Sequence, residues 1–315
     1  MRYKTLGKTG LKVSEMALGT WGIGGAGWDE KPVADRQEAI KTAIECGVNF
    51  IDTAPAYNAG MAEKHVGQVL RELGVREKMV IATKCGTKFE NGQYIRTCKT
   101  ADVIQQVDES LANLQTDYID IYLIHWPDLT VPFEETMTLL NKLKEQGKIR
   151  HIGVSNFTRE QIIEAGQYGE IEVYQPQYSL VFRDNEENIR WAKDRGIGVM
   201  SYGSLGGGIL TGKYREPKVY APSDSRNRFY KHFQEPLFSK VMKVVELMDT
   251  ISAEHGDVPL SQIAINWATQ KDFVTAGIVG AQDRPHVMQN ATAFDWSLTL
   301  KELEMLDAAS AELMA

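Results

Sequence analysis

Apolar residues in this chain gather in short runs, each followed by a polar loop and then by a stretch with apolar positions three or four apart. The runs predict strands at about 16–20, 48–52, 79–83, 118–124, 149–154, 171–176, 197–202 and 275–280. Between them the spacing predicts helices near 35–46, 62–73, 100–114, 133–146, 159–166, 186–195, 238–255 and 284–292. Val103, Val107, Leu111 and Leu114 carry that period, with Thr100 placed as a cap. Phe133, Met137, Leu140 and Leu143 repeat it, and Gly147 ends the helix in the left-handed conformation.

The strands are continuously apolar, as in Ile119-Asp-Ile-Tyr-Leu-Ile124, rather than alternating. Burial on both faces, and hence a parallel sheet, follows. Eight strand–helix units over 315 residues match an α/β fold of the (β/α)8 TIM barrel type, which takes ~250 residues plus insertions. Residues 2–7 and 11–18, joined by Gly7-Lys8-Thr9-Gly10, read as an N-terminal β-hairpin plugging the barrel bottom. Residues 300–313 read as an extra C-terminal helix, Leu210–Pro236 as a functional loop after the seventh strand, and 1–315 as one domain.

A formal net charge of −7 argues against nucleic acid as the main partner, which would call for a basic face. No apolar run approaches the ~20 residues of a membrane span. The opening Met1-Arg2-Tyr3-Lys4-Thr5 reads as strand rather than as a signal peptide. Cys46, Cys85 and Cys98 have no paired spacing, which points to reduced thiols in a cytoplasmic protein with neither disulfide framework nor zinc site. Oligomeric state leaves no signal.

Two motifs mislead. Gly22-Ile-Gly-Gly-Ala-Gly27 matches a dinucleotide fingerprint with Asp52 about 25 residues on, but the fingerprint needs a helix opening inside the glycines. Here the helix is expected no earlier than Pro32, after Trp28-Asp29-Glu30-Lys31. Tyr214-Arg-Glu-Pro217-Lys218 imitates a Tyr–Lys pair on one helix face, and Pro217 would break that helix.

The ends of the expected strands carry the chemistry. The second ends Val48-Asn-Phe-Ile-Asp52, with Tyr57 on the loop beyond; the third ends in Lys84, the fourth in Ile124-His125-Trp126-Pro127. The next ends are Ser155-Asn156, Gln175-Pro176 and Tyr202-Gly203-Ser204. Singly, each has a bland explanation: a helix-capping Asp, a rim phenol, a snorkelling Lys, a satisfied His. Together on neighbouring ends of a barrel they face one mouth, where such folds keep their active sites. Lys84 would pair with Asp52, and an ammonium beside a phenol favours its dissociation, bringing Tyr57 nearer neutrality than the ~10 of a free phenol. His125 could donate to the same oxygen. One proton donor without a nucleophile or a metal cluster suits carbonyl reduction by an external hydride.

These pieces resemble the aldo-keto reductases: Asp52-Thr-Ala-Pro-Ala-Tyr57, Ala82-Thr-Lys84, Ile124-His-Trp-Pro127, Lys148-Ile-Arg-His-Ile-Gly-Val-Ser-Asn156, Gln175-Pro-Gln-Tyr-Ser179 and Leu210-Thr-Gly-Lys-Tyr214. The likeness runs from the hairpin to about Asn290 and looks like the bacterial branch that also resembles potassium-channel β subunits. The resemblance implies a catalytic tetrad of Asp52, Tyr57, Lys84 and His125. It implies nicotinamide carboxamide ligands at Ser155, Asn156 and Gln175, and Tyr202 stacked on the ring. It places Gly203, Ser204, Leu205 and Gly206 through Gly208, with Lys213 and Arg226, over the pyrophosphate. Gly280, Gln282, His286, Gln289 and Asn290 fall at the adenosine end. Trp21, Phe89 and Trp126 are expected either to wall the substrate pocket or to pack the barrel rim.

An NAD(P)(H)-dependent oxidoreductase of an aldehyde, ketone, sugar or polyol is the implied function. The alternative is a cofactor-loaded regulatory subunit like the channel β proteins, where the His of the tetrad is typically Asn; His125 favours turnover. The family mostly prefers NADP(H), gripping the 2′-phosphate with a cation after the last strand. Here that segment reads Gly280-Ala-Gln-Asp-Arg-Pro-His286, with Gln282 where an Arg is common and Asp283 adding negative charge. Only Arg284 and Arg226 offer compensation, so relaxed use of NADP(H) and NAD(H) is expected. Loops 22–31, 86–99 and 210–236 are expected to set the substrate.

Overall fold

A computed structural model of the chain describes residues 1–25, 28, 31–90, 93–221 and 224–314. Eight parallel strands close into a barrel in chain order: β1 (Met16–Gly19), β2 (Phe50–Asp52), β3 (Val80–Cys85), β4 (Ile119–Ile124), β5 (Ile149–Ser155), β6 (Val173–Gln175), β7 (Gly198–Ser201) and β8 (Ala276–Gly280). β8 returns to β1 with Gly277 opposite Met16 and Gly280 opposite Gly19, which closes the ring. The helices are α1 (Val33–Glu45), α2 (Met61–Leu73), α3 (Thr100–Leu114), α4 (Phe133–Glu145), α5 (Arg159–Ala165), α6 (Glu186–Asp194), α7 (Leu237–Glu254), α8 (Leu260–Thr269), α9 (Arg284–Ala291) and α10 (Leu300–Met314). The TIM-barrel expectation, with its hairpin and extra C-terminal helix, is what the chain forms.

Two apolar layers explain the continuous strand runs. One fills the barrel interior with Phe50, Val80, Ile121, Leu123, Val173 and Met200, and the hairpin adds Leu6 and Val13 from below. The other lies between strands and helices. The hairpin, Tyr3–Thr5 paired with Lys12–Ser14, plugs the bottom as expected. Gly7 shows how tightly it seats: at φ +50 a Cβ there would fall 2.3 Å from the backbone nitrogen of Gly198.

The sequence reading is corrected at four places. It has no helix between 256 and 275, yet α8 is helical with all ten of its residues buried. A helix covered on every side has no polar face and so no amphipathic period to detect. Thr100 is the first residue of α3 rather than its cap: the cap position is Lys99, without a side-chain bond, and the Thr100 hydroxyl donates to Glu135 at 2.7 Å. Helix begins before Pro32, in the single turn Trp21–Gly24; of that glycine motif Ala26 and Gly27, and then Asp29 and Glu30, lie outside the described residues. Finally, an unforeseen antiparallel hairpin, Thr87–Glu90 with Gln93–Arg96, rises from the loop after β3.

Among the described residues no helix is long and apolar enough to cross a membrane.

Candidate active site

The carboxyl ends of the strands surround a cleft of about 1040 Å³. Strand register sets its floor: Asp52 aligns with Gly19 on one side and Ala82 on the other, and Lys84, two residues past Ala82 and on the same face of its strand, reaches back to Asp52. The Lys84 ammonium, fully buried, donates to Asp52 Oδ1 at 2.8 Å, to the Thr53 carbonyl at 2.8 Å and to the Tyr57 hydroxyl at 3.2 Å. Three acceptors saturate an ammonium, which is how a lysine exists inside a barrel. Tyr57 comes back over the cleft because the turn after it runs through the positive φ of Asn58, Ala59 and Gly60. Its ring stacks on Trp21 at 6.0 Å between centroids and meets His125 edge-on at 6.1 Å.

A second network reaches the same point from β5 to β7. Gln175 donates to Asp52 Oδ1 at 2.7 Å, and the Ser155 hydroxyl donates to the Gln175 carbonyl at 2.9 Å. Asn156 sits at φ 60, a left-handed conformation that Asn tolerates better than most residues. There its amide donates to the His125 carbonyl at 2.9 Å and its oxygen accepts from the Tyr202 hydroxyl at 2.8 Å. Asp52, Tyr57, Lys84, His125, Ser155, Asn156, Gln175 and Tyr202 are thus brought together, all but the buried Lys84 lining the cleft.

Burial sets the protonation states. Desolvation raises the Tyr57 phenol well above its ordinary value, and Asp52 raises it further. Desolvation, helped by the Lys84 charge, puts His125 well below the usual histidine range, so it is neutral at pH 7. Lys84 itself is lowered by desolvation against the pull of Asp52. The expectation that Lys84 brings Tyr57 towards neutrality is therefore reversed. The ammonium is already matched by Asp52 at 2.8 Å, so the phenol faces an ion pair rather than a lone cation.

From this floor the cleft extends towards β7 and β8. Gly203, Ser204 and Leu205 line it together with Gly207 and Gly208, whereas Gly206 lies buried just beneath. Gly203, Gly206, Gly207 and Gly208 all have positive φ, and a Cβ on Gly207 would lie 2.8 Å from the Tyr230 ring. Consecutive amides in such a conformation form an anion-binding concavity. Lys213 opens onto it, as does Arg226, which Asp224 holds at 2.6 Å and Tyr214 and Tyr220 flank. The buried His232, absent from the sequence reading, shares a 2.8 Å hydrogen bond with the Gly206 carbonyl. Gly280, Gln282, His286, Gln289 and Asn290 line the far end. The donor set, a glycine cradle with cations followed by amide side chains, fits a dinucleotide.

Several expectations change here. Gln282 donates to the Gly22 carbonyl at 2.8 Å, latching the Trp21–Gly24 turn to the last strand. Arg284 turns away from the cleft to Glu38 and Glu45 of α1, both at 3.1 Å, and so offers no charge there. Asp283 caps α9 and pairs with Lys31 at 3.0 Å and His286 at 2.7 Å, so its charge is met locally. Trp21 and Trp126 line the cleft, but Phe89 does not: it is 54% exposed and packs on Tyr94 at 4.9 Å. It stands two cross-strand pairs further out on the hairpin than Thr87 and Arg96, directly opposite Tyr94, which takes the cleft side of that rung. Tyr94, Ile95 and Arg96 line the cleft in its stead. The Asn91-Gly92 pair between short β-prone stretches was the available signal for that hairpin. Of the loop 210–236, residues 222–223 lie outside the described residues.

Residues 15–311 match the model of the Aldo/keto reductase family. The chain belongs to that family. An NADH-specific methylglyoxal reductase of Escherichia coli is 36% identical over 95% of this chain and 95% of its own length. A probable voltage-gated potassium channel subunit beta of Arabidopsis thaliana is 33% identical over 94% of this chain and 92% of its own. The solved glycerol dehydrogenase of Gluconobacter oxydans superposes with a TM-score of 0.88 at 31% identity, covering 99% of this chain and 94% of that one. With the aldo/keto reductase family comes the reaction class, an oxidoreductase acting at a carbonyl.

Proposed function

We propose that this protein is a nicotinamide-dependent reductase of small aldehydes or ketones, running in reverse on the corresponding alcohols or polyols, with Tyr57 as proton donor. The observation that carries this reading is Lys84, which bridges Asp52 and the Tyr57 hydroxyl in a cleft continuous with the glycine cradle.

A reduced nicotinamide, when bound, supplies the hydride. Ser155, Asn156 and Gln175 would hold its carboxamide, Tyr202 its ring face, Gly203 through Gly208 with Lys213 and Arg226 its pyrophosphate, and Gly280, Gln282, His286, Gln289 and Asn290 its adenosine end. The chain's own residues do the proton chemistry. Tyr57 is held as a neutral O–H donor by its desolvation, and neutral His125 beside it offers a second hydrogen bond to a substrate oxygen. An alkoxide is far more basic than a phenolate, so proton transfer from Tyr57 runs downhill even from a raised pKa. The phenolate left behind would lie 3.2 Å from the Lys84 ammonium, which stabilises it as charge develops. Trp21 and Trp126 line the cleft and would keep water from the reacting atoms once substrate is bound.

Both NADH and NADPH are proposed to serve. Arg284 is committed to α1, Asp283 is neutralised by Lys31, and a 36% identical relative is named NADH-specific. A regulatory reading has the channel-subunit relative in its favour, but a complete Asp52–Tyr57–Lys84–His125 set points to turnover. A panel of aldehydes, ketones and polyols, followed by nicotinamide absorbance, tests the proposal; cofactor binding with no oxidation or reduction of any of them would favour the regulatory reading.

A further inference from the structure

Three lysine or arginine side chains line the cleft among the described residues: Arg96, Lys213 and Arg226. The two carboxylates lining it are already engaged, Asp52 with Lys84 at 2.8 Å and Asp224 with Arg226 at 2.6 Å. Lys213 and Arg96 have no carboxylate partner among the described residues. Lys213 stands by the glycine cradle after β7. Arg96 is at the opposite side of the mouth, on the hairpin after β3, and belongs to nothing in the proposed mechanism.

Its placement is built rather than incidental. Arg96 pairs with Thr87 in the hairpin ladder, and the Tyr94 hydroxyl donates to the Ala56 carbonyl at 2.8 Å, tying this strand to the loop that carries Tyr57. The guanidinium carbon lies 4.6 Å from the centre of the Trp126 ring, and Trp126 follows His125 with their rings 6.4 Å apart. A guanidinium held over an indole keeps its fork of N–H donors for a planar anion, and Arg96, exposed like the rest of its strand, lines the cleft. A chain with 42 acidic residues against 35 basic ones has left this cation unmatched where a substrate would enter.

We infer that Arg96 is a specificity residue for carbonyl substrates carrying an anionic group, a carboxylate above all, a few carbons from the carbonyl. The inference rests on the reductase reading above and names its substrate class. The carbonyl end meets Tyr57 and His125, the chain of the substrate lies on Trp126, and the carboxylate takes a two-pronged bond from Arg96.

The test compares matched probes on wild type and Arg96→Gln: 4-oxobutanoate against butanal in turnover, and butanoate against butan-1-ol in titration calorimetry, which needs no reaction. Wild type is expected to favour 4-oxobutanoate through KM, by roughly tenfold to a hundredfold in kcat/KM, the range for a charge-assisted bond. Arg96→Gln should remove that preference, leave butanal within about twofold, and abolish the binding advantage of butanoate over butan-1-ol. Equal turnover of both carbonyls by wild type overturns the inference while the reductase reading stands. A loss on butanal as large as that on 4-oxobutanoate overturns it too, because Arg96 would then act on the fold. If neither carbonyl reacts but butanoate binds through Arg96, the reductase reading fails and the anion site survives. If butanoate binds both proteins alike, the site is refuted.

Discussion

Gln175 on β6 donates to the Asp52 carboxylate on β2 at 2.7 Å, a bond between residues 123 apart in the chain that crosses the barrel mouth. Asp52 Oδ1 therefore accepts from both Gln175 and Lys84. Gln175→Leu removes a donor to a buried carboxylate and should destabilise the protein by about 1–3 kcal/mol. It should also weaken nicotinamide cofactor binding by roughly tenfold, since a second polar partner is lost at the proposed carboxamide site. Denaturant midpoints and cofactor titration check this; an unchanged midpoint with unchanged affinity would show the bond carries no weight.

Tyr57→Phe should retain cofactor affinity and lose carbonyl reduction by about two to four powers of ten, the usual contribution of a positioned acid together with part of the oxygen's stabilisation. Single-turnover kinetics with tight cofactor binding verified give the answer. A mutant keeping a tenth of the parent rate would remove Tyr57 from the role of proton donor.

The pH profile follows from three shifts. His125 is neutral above its lowered pKa, Tyr57 stays protonated below its raised one, and Lys84 is active as the ammonium, which it loses as pH rises through a value below 10.5. Reduction should therefore show no acid limb at the ordinary histidine value of ~6.5 and should fall on the alkaline side first through Lys84. An acid limb near the ordinary histidine value of ~6.5 would show that His125 is not desolvated during catalysis.

Cofactor preference should lie within about a hundredfold, ~2.7 kcal/mol, because no cation in the last-strand loop is free to grip a 2′-phosphate. Measuring kcat/KM for NADH and NADPH at one ionic strength decides it. A thousandfold preference for NADPH would mean that Lys31 exchanges Asp283 for the phosphate.

Stability in acid should hinge on Glu172, far from the cleft chemistry. It is almost fully buried, and against the desolvation that raises it, its pKa falls from 4.5 to about 2 through His151 and Lys144, each at 2.7 Å, and the Ile152 amide. A depressed carboxylate contributes its stability above pH 4.5 and loses it between there and about pH 2. The contribution is of the order of 2–3 kcal/mol. Glu172→Gln should lower the unfolding free energy at neutral pH and flatten its fall between about pH 4.5 and 2. A parental slope in the mutant would assign that fall to other carboxylates.

The order of strands and helices was legible in the sequence because each strand is a short continuous apolar run and most helices have one wet face. In a barrel whose strands follow one another in chain order, reading the strand ends is then enough to gather Asp52, Lys84, His125, Ser155, Gln175 and Tyr202 at one mouth. Helix α8 escaped because burial all round erases periodicity, and Phe89 was misplaced because sequence does not say which strand of a hairpin faces the cleft: its cross-strand partner Tyr94 lines it instead. Only the tertiary structure decided the charges. Arg284 meets Glu38 and Glu45 from about 240 positions away, Lys31 meets Asp283, and Arg96 meets no carboxylate among the described residues. The same holds for Tyr57, whose pKa is governed by how much water its hydroxyl loses and by whether Lys84 is already matched. Residue types and strand periods are local properties of a chain. Desolvation and Coulomb interactions depend on every atom within a few ångströms, and those neighbours are chosen only when the barrel closes.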